Sequence, residues 1–120
     1  MSYNVRFLDD AKIDLILIEE ALIQYYPSTA RNFFELLKEK ILLIEEFPYI
    51  YPAYEYDSFF RKMVLANYLL FYSVDDKQSQ VIVHRVIHSK KDINYEMINY
   101  NTGEMEVNEV EILYHALITS

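Results

Sequence analysis

The sequence predicts an α+β domain of order β-α-α-β-β-β, a helical hairpin packed on a small, largely antiparallel sheet, with a C-terminal extension. Three observations predict it. Apolar residues recur at helical spacing on both sides of Pro27, so two helices meet at a very short turn and must lie antiparallel. Three strand-like runs then follow one another through short turns, which implies a meander. One Gly and three Pro in the whole chain argue against long flexible linkers.

Taken in order, Tyr3 to Phe7 alternates polar and apolar residues, as a short half-buried strand does. Asp9 can cap the helix that follows. There Ile13, Ile16, Leu17, Ala21 and Leu22 fall on one face, with Asp14, Glu19 and Glu20 nearer the other. Pro27 interrupts this helix, and Ser28 is a suitable N-cap for the second. Its apolar set is Ala30, Phe33, Phe34, Leu37, Ile41 and Ile44. Residues Phe47 to Ser58 form a proline-punctuated, tyrosine-rich loop. Strands are expected over Phe59–Leu65, Tyr68–Val74 and Val81–His88, joined at Ala66-Asn67 and at Asp75–Ser79. Residues 1–95 thus make one domain. Residues 96–120 make an acidic extension, in which Val107, Val110, Leu113 or Tyr114, and Leu117 are helically spaced.

The 120 residues suit a single core, and the balance of 52% hydrophobic to 25% charged residues is that of a globular chain. Twelve Tyr and seven Phe supply much of the core area. No apolar run approaches the roughly 18 residues of a membrane span, and the N-terminus lacks a signal-peptide layout. The absence of cysteine excludes a disulfide framework and a thiolate metal site. A cytoplasmic protein with no membrane partner is expected.

The net charge is −8, unevenly placed. Residues 1–95 hold all 11 Lys and Arg against 14 Asp and Glu, whereas residues 96–120 hold five Glu and no Lys or Arg. A nucleic-acid surface would therefore have to be a local patch.

Few constellations carry chemistry. His84 and His88, on one strand, would stand roughly 13 Å apart, too far to share an ion, so no metal is expected. Gly103 is the only glycine, which leaves no phosphate-cradling loop and no cofactor. Paired carboxylates such as Glu19-Glu20 and Asp75-Asp76 fall where solvated faces and turns want charge. The remaining feature is cationic: Arg61, Lys62, Arg85, Lys90 and Lys91, with His88 beside them, are expected to converge near one sheet edge. The competing reading is structural, with Arg61 and Arg85 pairing with Glu55, Asp57 or Asp92.

In order and spacing these pieces resemble the RelE/ParE superfamily of type II toxin–antitoxin toxins, within it the ParE-like branch, also described as plasmid stabilisation proteins. The resemblance covers about residues 3–95. It rests on Val5–Ala11, Ala30–Phe33, Leu43–Pro48, Arg61 followed by Tyr68–Tyr72, and Val83–Asp92 with its Arg-Val-x-His core at Arg85–His88. It implies a bacterial toxin neutralised by a cognate antitoxin. Two modes of action then divide. A ParE-like member binds a protein target such as DNA gyrase, with Arg61, Lys62, Arg85, His88, Lys90 and Lys91 as contact residues. A RelE-like member cuts mRNA on the ribosome, with Arg61, Arg85, His88 and Tyr95 near the scissile phosphate. In the nuclease branch an arginine commonly follows the tyrosine of the third strand; here that position is Leu69. The acidic net charge also opposes approach to the ribosome, so the protein-binding mode is favoured. A non-toxic homologue serving as an interaction module is the third reading. The acidic tail is expected to fold back on the Arg61/Arg85/Lys90/Lys91 patch, the alternatives being that it packs beside the sheet or exchanges with a second copy in a homodimer.

Overall fold

The structure, a computed structural model, describes residues 2–98. The expected tail helix around Val107–Leu117 lies outside them.

The observed order is β1 (Asn4–Phe7), α1 (Asp9–Ile23), α2 (Pro27–Glu46), β2 (Ala53–Tyr54), β3 (Asp57–Leu65), β4 (Tyr68–Asp75), β5 (Gln80–His88) and α3 (Ile93–Ile98). The strands form one sheet ordered β1-β5-β4-β3-β2. β3, β4 and β5 make the antiparallel meander, and β1 joins β5 in parallel, with Phe7 opposite Val83. The helices of the hairpin cover one face of this sheet, so the expected α+β layering holds. The two-residue β2 and the helix α3 add to the expected order.

The core on the helical face joins Phe7, Ala11, Leu15 and Ile18 to Phe33, Leu37, Ile41 and Ile44. Beneath them lie Met63, Leu65, Leu70, Tyr72, Val81, Val83 and Val86. A smaller cluster occupies the opposite face, where Ile93 and Met97 of α3 pack on Tyr54, Phe71 and Ile87. The sheet is thus dry on both sides at its centre. Buried Tyr72 donates its hydroxyl to the Pro48 carbonyl at 2.8 Å, fixing the loop that leaves α2. Burial pushes that hydroxyl's pKa up to about 12, so it stays a donor.

α2 buries the six residues expected of it, and α1 does not. The face of α1 turned inward carries Ala11, Asp14, Leu15 and Ile18, while Leu17 is 57% exposed. Apolar residues surround most of α1, so burial area alone does not select a face. The partners of Asp14 do, as described below. Two expected caps also differ. α1 begins at Asp9 with Leu8 as N-cap, and α2 begins at Pro27, in the first turn, with Tyr26 as N-cap. Proline at the start of a helix loses no hydrogen bond there, because that N–H has no intrahelical partner.

The β3–β4 turn places Ala66 at φ 54°, in the left-handed region where a Cβ is disfavoured. Replacement by glycine, Ala66→Gly, is expected to raise stability by about 0.5–1 kcal/mol, read as a higher urea midpoint.

Candidate functional site at the β5 edge

The site is made by a bulge and by the place where a strand ends. β5 pairs Val83 with Tyr72 but Arg85 with Phe71, so His84 is the extra residue and the strand bends there. β1 stops at Phe7, opposite Val83, and the chain turns into α1. Among the described residues, no strand lies beside the outer edge of β5 from Val86 onward.

Asp14, in the second turn of α1, fills that gap. Val86 N–H donates to its Oδ2 at 2.8 Å. Arg85 grips the same carboxylate with both arms, Nε to Oδ2 at 2.7 Å and Nη2 to Oδ1 at 3.0 Å. The side chains are 10% and 15% exposed, so this is a nearly buried bidentate pair. Burial pushes the Asp14 carboxyl above its ordinary range, while the Arg85 bonds and the Val86 N–H pull the other way. For Arg85, burial disfavours the charged form, but the bonds and charge of Asp14 outweigh it and hold the guanidinium more firmly protonated.

A second carboxylate arrives from α3. Glu96 Oε2 lies 3.5 Å from Arg85 Nη2, and its Oε1 lies 3.9 Å from Lys91 Nζ. His88 ends the strand with its Nδ1 accepting from the Lys90 N–H at 3.1 Å and its ring edge-on to Tyr68. Between α1 and this end of β5 runs a groove of about 290 Å³, floored by Leu17, Ile18, Ala21 and Tyr68, with His88 and Lys91 on its rim.

The expected cationic side chains do not form one patch. Arg85, His88 and Lys91 share the groove, and exposed Lys90 lies beside them. Lys62 lies across Phe71 from Arg85, about 10 Å away at the usual strand spacing. It sits over the Tyr54 ring and 3.9 Å from Glu55. Arg61, next in sequence, points to the other face. There it donates to the Tyr51 carbonyl at 2.6 Å and stacks on Tyr49, 4.6 Å from the ring centre. Alternation along one strand separates the pair. Arg85 pairs with Asp14 and Glu96, neither of which the sequence marked as its partner. Tyr95 falls within α3, but its side chain lies outside the described residues.

Sequence reading also missed the pair behind the bulge. Ser73 Oγ and His84 Nε2 are 2.8 Å apart, both residues are buried, and Phe59 and Phe60 meet the imidazole edge-on. Burial, with the charge of Arg6, pushes the imidazole pKa down to about 4. No local pattern marks it, because Ser73 pairs with Ile82 and His84 is the extra residue of the bulge, so the two meet only through that shift of register.

Residues 5–93 match the family model for the ParE toxin of the type II toxin–antitoxin system parDE. The chain belongs to the ParE toxin family. No curated protein matches it significantly. Among solved structures, the RelBE2 toxin–antitoxin complex of Mycobacterium tuberculosis is similar at a TM-score of 0.54 and 20% identity. That alignment covers 73% of this chain and 99% of the other. A double arginine-to-alanine variant of the E. coli toxin RelE, in the free state, aligns at a TM-score of 0.58 and 22% identity, over 80% and 93% of the two chains. At these identities the likeness is one of fold. The ParE match ends at Ile93, the first residue of α3, so Asp14, Arg85 and the groove lie within it and Glu96 beyond it. Among the described residues, no helix of this ParE-family chain is long and apolar enough to cross a membrane.

Proposed function

We propose that this ParE-family toxin acts by gripping a protein target, with DNA gyrase the target suggested by the family, and that a separately encoded antitoxin neutralises it. The observation that carries the reading is the engagement of Arg85. A phosphoryl-transfer site needs cations aimed at the charge that develops in the transition state. Arg85 instead commits its Nε–Nη2 edge to Asp14, and Glu96 lies 3.5 Å from the same Nη2. Arg61 is tied to a carbonyl and a ring on the opposite face.

Other features support protein contact. β3 and the turn before it present Tyr56, Phe59 and Val64, all more than 60% exposed. Exposed aromatic and aliphatic groups beside Lys and Arg suit the core of a protein interface. The net charge of −8 opposes entry into an anionic ribosomal site. Lys62, His88, Lys90 and Lys91 are the accessible contact residues on this reading. An antitoxin partner is supported by the family and by the likeness to a toxin solved with its antitoxin.

The purified full chain is expected to inhibit ATP-dependent supercoiling by gyrase. Unimpaired supercoiling together with codon-linked cuts in translated mRNA would overturn the proposal. Unimpaired supercoiling without cuts would favour the non-toxic interaction module.

A further inference from the structure

We infer that residues 104–117 of this same chain occupy the groove between α1 and the end of β5. This goes beyond the choice of target and does not depend on it.

The groove has an apolar floor left uncovered by the domain. Leu17 and Ala21 stand one turn apart on α1, with Tyr25 just past its end, and all three are exposed. Leu17 and Ala21 border the groove, with Tyr68 and Ile87 on its far side. A stripe of this kind on α1 is covered in most domains, because a helix buries its apolar stripe. Here the inward position is taken by the Asp14 face, which the Arg85 bonds require.

The chain arrives at this groove. α3 leaves Glu96 within 3.5 Å of Arg85 and 3.9 Å of Lys91, and both of those residues line it. From Ile98, six residues reach up to roughly 20 Å, so residues from 104 onward can be laid along α1. Their composition matches what they would meet. Val107, Val110, Leu113 and Leu117 recur at three- and four-residue spacing and would face Leu17, Ala21 and Tyr68. Glu104, Glu106, Glu109 and Glu111, with no Lys or Arg among residues 99–120, would face the rim of His88, Lys90 and Lys91. The Glu96 contacts with Arg85 and Lys91 begin the same pairing of acidic tail with basic strand end. The tail then acts as an intrachain strap, and any partner using this groove must displace it.

The chain has no cysteine, so Leu17→Cys gives the full-length protein a single attachment point for a nitroxide beside the groove. Amide resonances of residues 107–117 are expected to lose most of their intensity and to regain it when the label is reduced. Full intensity with the label oxidised overturns the inference. In a mixture of isotope-labelled native chain with spin-labelled, isotope-free chain, the same resonances are expected to keep their intensity. Broadening there would assign the groove to the tail of a second copy and overturn the intrachain strap. In the Leu17→Cys background, Val110→Glu with Leu117→Glu should abolish the broadening. Persistence of the broadening contradicts apolar seating.

Discussion

Asp14→Ala is expected to destabilise the fold by about 3–5 kcal/mol, the loss typical of removing one partner from a buried ion pair. The substitution takes away three hydrogen bonds at once, two from Arg85 and one from the Val86 N–H. Arg85, 15% exposed, then loses its bidentate partner and keeps Glu96 at 3.5 Å. The Val86 N–H, at a strand edge where β1 has ended, loses its acceptor and bears the desolvation cost alone. Urea unfolding of the variant against the native chain measures the difference. Asp14→Asn retains an acceptor and should lose less. Removing both partners, Asp14→Ala with Arg85→Met, should recover part of the loss, because no buried charge is then stranded. A loss below about 1 kcal/mol would place the pair among ordinary surface bridges and remove its claim to organise the β5 edge.

The second large effect is on the pH dependence of stability. His84 is neutral in the folded protein down to about pH 4, against an ordinary value of 6.5. Between those values the unfolded chain binds a proton at this residue and the folded chain does not. Stability therefore rises with pH across that window. The contribution is complete above about pH 6.5 and is lost as pH falls through about 4. At 1.36 kcal/mol per unit, the loss is about 3 kcal/mol from this residue. His84→Gln keeps a side chain able to bond Ser73 and removes the titration. Its unfolding free energy should fall less steeply from pH 7 to pH 4 than that of the native chain. Parallel curves would mean that the imidazole is solvated enough to accept its proton in place.

What the sequence made legible follows from how each element satisfies its polar groups. In α2 the buried positions were readable because charged residues, from Arg31 to Glu46, mark the opposite face plainly. In α1, Ile13, Leu15, Ile16, Leu17 and Ile18 leave little contrast around the helix. The face was chosen instead by a carboxylate needed 71 residues away at Arg85. Long-range pairing of this kind leaves no local periodicity to read. The meander was legible through its turns, but the bulge at His84 was not, since it depends on register against Phe71 and Tyr72. For the same reason Arg61 and Lys62 read as neighbours and stand on opposite faces. The toxin family was legible because its signature runs along the chain, from the first strand to the Arg85–His88 end of the last.

The exposed stripe on α1 is a consequence of that same long-range choice. Turning Asp14 inward toward Arg85 and Val86 leaves Leu17 and Ala21 on the groove. One buried ion pair thus links the stability of the sheet edge to the surface available for docking.

On the proposed reading, the basic groups of this ParE-family toxin serve architecture and protein contact rather than phosphate chemistry. Mapping the 5′ ends of cellular mRNA after induced expression of the full chain tests it most directly. No new codon-linked ends are expected while growth is arrested. New ends at codon boundaries that disappear with Arg61→Ala would contradict it.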